Sequence, residues 1–166
     1  FVQTPSILDA YPDVSINGIW AVNTDGSGLR QLAKGAGEDS CLAWSPDSQR
    51  IAFVSYGNDG KWDVWVSRVD GSDLRQLTAS DELEFDIAWS PDGSKLAFAS
   101  HGWPDETGPG IWVMDVDGDG KTQLTEGSGR PGDPRWSPDG YLLAFSSAKY
   151  GGDIWIMNAD GSGKTR

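Results

Sequence analysis

Ile111-Trp112-Val113-Met114-Asp115-Val116-Asp117-Gly118 is one of four copies of the same pattern in this chain. Each copy is an apolar run around a tryptophan that leads into Asp-Gly, and the other three copies occupy residues 19–26, 64–71 and 154–161. The copies recur about every 45 residues, which is the spacing of a structural repeat. β-Branched and aromatic residues followed by Asp-Gly predict a strand that ends in a tight turn.

Two further motifs alternate with these copies. Ala88-Trp89-Ser90-Pro91-Asp92-Gly93, followed by the apolar run 96–100, has counterparts at 43–47 with 51–55 and at 135–140 with 142–146. Leu74-Arg75-Gln76-Leu77-Thr78 has counterparts at 29–32 and 121–125. In Ser-Pro-Asp-Gly, Pro presets φ, Asp accepts backbone hydrogen bonds and Gly takes the left-handed position, so this motif predicts a hairpin. One repeat is therefore four short antiparallel strands, the unit of a β-propeller blade.

The three motifs, in this order over residues 19–166, resemble the repeat of the TolB-like β-propeller family. The resemblance implies an all-β fold built of blades, each a four-stranded antiparallel sheet. One departure is Ser48, which stands where the other two hairpin motifs have Gly93 and Gly140. Residues 1–18 carry no repeat signal and are expected to form an N-terminal extension.

The repeats predict a partial propeller of about three and a half blades, since a closed ring needs at least about four. We assign a partial blade to 19–32, whole blades to 42–78 and 87–125, and an incomplete blade to 133–166. Uncovered blade faces would leave large apolar patches. We therefore expect either that the chain is a fragment of a larger propeller or that copies of it self-associate through exposed blade faces.

The composition excludes several classes of function. The chain has 166 residues, of which 37% are hydrophobic, and it has 13 Lys and Arg against 25 Asp and Glu, a net charge of -12. An acidic surface repels nucleic-acid phosphates and anionic lipids. No stretch approaches the ~18 apolar residues of a membrane span. We expect no nucleic-acid partner and no membrane insertion.

The loops after the second and fourth strands of each blade are predicted to be long, dissimilar and on one side of the disc. Variable loops on a rigid scaffold commonly carry binding residues, and an acidic rim with Trp and Tyr suits a protein partner, a cationic peptide or a sugar. The alternative is that these loops are polar only because water surrounds them. The candidate ligand- or partner-binding residues are Tyr56, Asp59, Trp62, Glu82, Glu84, His101, Trp103, Asp105, Glu106 and Arg130.

One acidic stretch has the spacing of a calcium-binding loop. Asp115, Asp117, Asp119 and Glu126 stand where an EF-hand places alternate carboxylates and a final Glu. Two other repeats have Asn and Ser in place of Asp115 and Asp119, at residues 23 and 27 and at residues 158 and 162. The acidic pattern is therefore mostly the repeated hairpin turn with extra acidic residues. We expect no cofactor, with calcium at these four residues as the alternative.

No catalytic residues are predicted. His101 is the only histidine, and with Asp105 and Glu106 it would form an acid–base site or else belong to a solvated loop. No Gly-x-Ser-x-Gly elbow of a serine hydrolase occurs in the chain. Cys41, the single cysteine, is expected to be a small buried filler and not a nucleophile.

The leading hypothesis is a non-catalytic β-propeller module that binds or scaffolds a partner through its long-loop face. The TolB-like resemblance implies a bacterial envelope setting, periplasmic or extracellular, and protein partners. The alternative is the gating propeller of a prolyl-oligopeptidase-like hydrolase, a cytoplasmic enzyme whose catalytic domain is not in this chain. Similar repeats form that propeller as well, so the sequence leaves both open.

Overall fold

The computed structural model describes residues 18–34, 41–56, 61–102, 109–126, 129–147 and 152–166. Within these ranges the chain forms thirteen strands and no helix. The all-β class predicted from the repeats is therefore confirmed.

The strands form four separate antiparallel sheets. The first sheet pairs β1 (Gly18–Ala21) with β2 (Arg30–Lys34). The second, third and fourth sheets each follow chain order: β3 (Leu42–Trp44), β4 (Arg50–Tyr56), β5 (Trp62–Arg68) and β6 (Arg75–Gln76); β7 (Glu82–Trp89), β8 (Lys95–Gly102), β9 (Gly110–Asp115) and β10 (Thr122–Gln123); and β11 (Pro131–Trp136), β12 (Leu142–Ser147) and β13 (Asp153–Asn158).

The sheets pack on one another in chain order, like the blades of a propeller. Strand β7 contacts both β3 and β11, the first strands of the neighbouring sheets, so the first strands lie together on one side of the stack. A bridge between Ile156 and Thr165 begins a further strand at the outer edge of the last sheet. The partial propeller predicted from the repeats is thus the observed architecture.

The Ser-Pro-Asp-Gly hairpins have the structure that their chemistry predicts. The Ser90 hydroxyl donates to Asp92 Oδ1 at 2.6 Å, and its oxygen accepts from the Lys95 backbone N–H at 2.9 Å. Gly93 takes the left-handed position with φ of 72°. Hydrogen bonds from Ser90 and Ser94 lower the pKa of Asp92 to about 2, so this carboxylate keeps the turn closed at any ordinary pH.

Ser48 occupies the left-handed position of the first hairpin with φ of 58°. A residue with a Cβ is strained there, whereas glycine is not. We expect Ser48→Gly to raise the free energy of unfolding by about 0.5–1 kcal/mol, measured by urea denaturation. The reciprocal change Gly93→Ser should lower it by a similar amount, since the added Cβ meets only Pro46 Cδ at 3.7 Å. Equal stability of Ser48→Gly and wild type would contradict the assignment of strain.

Alternate residues of each central strand pack against opposite neighbours, as the two-residue period of a strand requires. In β8, Leu96 and Phe98 belong to the apolar cluster shared with the second sheet. Ala97 and Ala99 belong to the cluster shared with the fourth sheet. All four are fully buried, so β8 contributes to two inter-blade interfaces at once.

The outer face of the last sheet differs from the matching face of the third sheet. Ile154 and Ile156 are 62% and 45% exposed, whereas Ile111, the counterpart of Ile154, is fully buried by the following blade. This is an apolar patch of the kind expected from the blade count. Self-association through it stays a prediction.

The Asp-Gly turns rest on the preceding blade. A Cβ built at Gly118 (φ 97°) would lie 3.3 Å from the Leu77 carbonyl oxygen, and one at Gly161 (φ 84°) would lie 3.2 Å from Leu124 Cβ. Gly71 has the same relation to the Gln31 carbonyl at 3.4 Å. Glycine is required there both by its positive φ and by this close approach.

Candidate functional site

Six of the ten predicted binding residues lie in described parts of the chain. Tyr56, Trp62, Glu82, Glu84 and His101 all lie in strands, at or near the strand ends that meet the long loops, and Arg130 lies just before β11. The other four, Asp59, Trp103, Asp105 and Glu106, fall outside the described residues. The proposed acid–base group of His101 with Asp105 and Glu106 therefore stays a prediction.

Tyr56 and Trp62 form an aromatic pair at the loop end of the second sheet. They are cross-strand partners at the ends of β4 and β5, and their ring centroids lie 5.5 Å apart at 66°. Edge-to-face packing of this kind holds both rings in place. The Tyr56 residue is 50% exposed, so a rigid aromatic surface faces solvent here.

A small cleft continues from this pair to the third sheet. It has a volume of about 230 Å³ and is lined by Val54, Trp62, Leu83, Glu84, Phe85 and His101. The His101 ring packs edge-on against Phe85, with centroids 4.7 Å apart. The cleft brings Trp62 and His101, from neighbouring blades, to one opening.

The pKa of His101 is lowered from the ordinary value of an imidazole. Burial lowers its pKa, and the positive charge of Arg130 lowers it further. Arg130 precedes the first strand of the fourth sheet, so this electrostatic contact joins the third and fourth blades. Tyr56 and Trp62 of the second blade, His101 of the third blade and Arg130 at the start of the fourth are together called the rim arc.

The two predicted glutamates have structural partners. Glu82 Oε2 accepts from the Ser100 hydroxyl at 2.6 Å. Glu84 is only 2% exposed, because it projects from β7 into the interface between the second and third blades. Its carboxylate accepts hydrogen bonds from Thr78, from Ser80 and from the Val64 backbone N–H.

The prediction that Glu84 lies in one of the long loops was wrong, because this residue is buried in β7. Its alternation in β7 directs it toward the second blade, and Lys121, just before β10 of Glu84's own blade, lies with Nζ 3.3 Å from Glu84 Oε1. Lys121 Nζ also lies 4.8 Å from the centroid of Trp112, which shields the ion pair. Desolvation raises the pKa of Glu84, opposed by hydrogen bonding from Thr78 and by Lys121.

The structure does not bring the four predicted calcium ligands together. Asp115 pairs with Lys95 through Oδ1 at 2.5 Å, and Asp117 accepts the Asp119 backbone N–H at 3.1 Å within its turn. Among the described residues, no three His, Cys, Asp or Glu side chains stand close enough to hold a metal ion. The calcium hypothesis gains no geometric support, and Asp119 and Glu126 stay untested as ligands.

Sequence reasoning missed a polar row on the first strands of the blades. Cys41 Sγ lies 3.8 Å from Asp86 Oδ1, and Asp86 Oδ2 accepts the Asp133 backbone N–H at 3.0 Å. Asp86 and Asp133 both have positive φ, at 55° and 50°, where β7 and β11 bulge. The recurrence of Asp at equivalent places in two repeats was the available signal. Cys41 is half-buried, and its raised pKa, caused first by desolvation, keeps it a thiol.

The chain belongs to the TolB beta propeller domain family, whose model matches residues 16–166. No curated protein sequence matches it.

Solved structures share the fold with this chain. A protein described as TolB from Agrobacterium tumefaciens is 26% identical, with a TM-score of 0.65, over 90% of this chain and 60% of that one. A chain of a nidogen/laminin complex is 17% identical, with a TM-score of 0.66, over 89% of this chain and 55% of that one. A puromycin-hydrolyzing peptidase of Mycobacterium tuberculosis is 20% identical, with a TM-score of 0.64, over 85% of this chain and 23% of that one. This chain thus spans well under two thirds of each.

The part of the chain that the structure describes contains no helix with the length and apolar character needed to cross a bilayer.

Proposed function

We propose that this chain is a non-catalytic binding module that recognises a protein partner through the rim arc. The observation that carries the proposal is the exposed edge-to-face pair of Tyr56 and Trp62 beside an open cleft. Aromatic and arginine side chains dominate the energetics of protein interfaces, and the rim arc consists of three ring side chains and Arg130. A partner of this kind fits a bacterial periplasmic or extracellular setting, which we propose from the family membership.

The ring side chains of the rim arc are already held in place, so a partner protein could bind there without a large rearrangement. Its three ring side chains lie at or near strand ends, and all three have ring contacts: Tyr56 with Trp62 at 5.5 Å, and His101 with Phe85 at 4.7 Å. Side chains that are already ordered lose little conformational entropy on binding. The rim arc is therefore suited to a rigid docking surface.

A selection with short random peptides tests the rim arc. Peptides enriched on the wild-type chain are synthesised, and their affinities are measured for wild type and for Tyr56→Ala. We expect Tyr56→Ala to weaken binding by about tenfold or more, since interface aromatics of this type act as hot spots. Tyr141→Ala is the matched control, because Tyr141 is 75% exposed in a Ser-Pro-Asp-Gly hairpin, away from the rim arc. Equal affinity of the two variants, or loss only in Tyr141→Ala, would refute the proposal.

The second candidate function is the gating propeller of a hydrolase. Its support is the shared fold with the puromycin-hydrolyzing peptidase. Sequence that continues this chain in the gene discriminates between the two proposals: a Gly-x-Ser-x-Gly motif within an alternating α/β pattern favours the hydrolase, and further blades alone favour the binding module.

A further inference from the structure

The interface between the second and third blades shows how this fold holds a buried carboxylate. The Glu84 carboxylate, on the third blade, accepts a hydrogen bond from the Thr78 hydroxyl and forms an ion pair with the Lys121 ammonium. The Thr78 oxygen in turn accepts the Val64 backbone N–H at 2.8 Å, so its hydrogen is directed to the carboxylate. A second carboxylate, Asp63, accepts from Gln76 Nε2 at 2.8 Å.

The next interface, between the third and fourth blades, keeps the donors of this arrangement. Thr125 stands in the place of Thr78, and its oxygen accepts the Ile111 backbone N–H at the same 2.8 Å. Gln123 stands in the place of Gln76, and both pair with the tryptophan of the preceding strand. Lys164 stands in the place of Lys121, three residues after the glycine of its Asp-Gly turn.

Both acceptors are missing from this interface. Pro131 replaces Glu84: Pro131 pairs with Ser147 in the same register in which Glu84 pairs with Ser100. Gly110 replaces Asp63, at the residue before Ile111. The ammonium of Lys164 donates to the Gly161 carbonyl at 2.6 Å, which leaves its other hydrogens for a further acceptor.

A cavity takes the place of the lost side chains. It has a volume of about 440 Å³ and is lined by donors and by apolar groups, among them Gln123, Thr125, Lys164, Leu124, Phe145 and Trp155. This is the size of a small-molecule site, and its apolar walls with a few convergent polar groups are typical of one. Glu126 and Lys164 both line this cavity and both are exposed, so water screens the charge of each.

We propose that this cavity binds a small organic carboxylate with an apolar body. The carboxylate takes the place that the Glu84 side chain has in the preceding interface, with Lys164 and the Thr125 hydroxyl as donors. Phe145 and Trp155 contact the apolar body. The site lies between blades and is separate from the rim arc, so it stands or fails independently of the proposed function.

The test uses 4-fluorobenzoate as the probe and follows its ¹⁹F resonance on titration with the whole chain. We expect saturable binding that is about tenfold weaker for the neutral isostere 4-fluorobenzamide, since a charge-assisted contact is lost. Lys164→Met keeps the aliphatic stem and should weaken benzoate binding by about tenfold. Lys95→Met removes a lysine in a different turn and should leave it unchanged.

A second pair of variants changes Pro131, which lines the cavity. Pro131→Glu supplies the carboxylate that Glu84 supplies in the other interface, and we expect it to abolish benzoate binding. Pro131→Ala, which adds no acceptor, should keep binding within about twofold of wild type. Absence of saturable binding to wild type, equal binding of benzoate and benzamide, or undiminished binding to Lys164→Met would each overturn the proposal. If Pro131→Glu does not fold, the lysine pair decides.

Discussion

Glu84→Ala is expected to lower the free energy of unfolding by about 3 kcal/mol at neutral pH, measured by urea denaturation. Truncation leaves the Thr78 hydroxyl and the Lys121 ammonium without their carboxylate acceptor at a blade interface, whereas the Val64 N–H keeps its hydrogen bond to the Thr78 oxygen. Removing one member of a buried, hydrogen-bonded pair is among the most destabilising single changes. Glu82→Ala, two residues away at the start of β7, is the matched control and should cost about 1 kcal/mol. Similar losses in both variants would contradict the role given to Glu84.

Glu84→Gln separates the charge of this residue from its shape. The pKa of Glu84 is raised above the ordinary value of a glutamate side chain, so the native state holds the proton more tightly than the unfolded state does. Binding of this proton therefore adds to the free energy of unfolding at low pH, and this contribution is lost as pH rises through the raised pKa. The stability of wild type relative to Glu84→Gln should therefore increase as pH falls from 7 toward 4.5. A relative stability that stays flat or decreases over this range would show that the pKa is not raised.

Phe98→Ala is the second change with a large expected effect. Phe98 is fully buried in the apolar cluster between the second and third blades. Deleting a buried phenyl ring loses its transfer free energy and leaves a cavity, which costs about 4 kcal/mol. Urea denaturation should show either this loss or a chain that is largely unfolded in water.

Phe145→Ala provides a comparison at the equivalent position. Phe145 is 5% exposed and borders the 440 Å³ cavity, so fewer atoms pack against its ring. We expect the loss to be about 1 kcal/mol smaller than for Phe98→Ala, because dispersion contacts are already absent on one side. An equal or larger loss for Phe145→Ala would contradict this explanation.

The fold was predictable because local chemistry and the repeat agree. Ser90-Pro91-Asp92-Gly93 defines its own turn through contacts between residues two and five apart in sequence. The alternation of Leu96, Ala97 and Phe98 is the period of a strand buried on both faces. Repetition of the three motifs in one order along residues 19–166 then predicts a single architecture, the propeller blade array that the structure shows.

The candidate site was less predictable, since its contacts join residues on different blades. Glu84 accepts from the Thr78 hydroxyl and the Val64 N–H of the second blade, and nothing local in the sequence marks Glu84 as buried. A comparison of repeats would have helped: Pro131 at the Glu84 position is visible in an alignment of the copies. The bulge that gives Asp86 its positive φ has a weaker signal, the recurrence of Asp at position 133 of the next repeat, because Asp alone does not specify a bulge.

The turn glycines give the blade array a direction. Gly71, Gly118 and Gly161 each touch the blade made before their own, and in these three contacts the dependence runs from later to earlier. During synthesis the N-terminal blades leave the ribosome first, so each later blade can pack against a blade that is already made. This order suits a repeat protein in which each unit contacts only its neighbours.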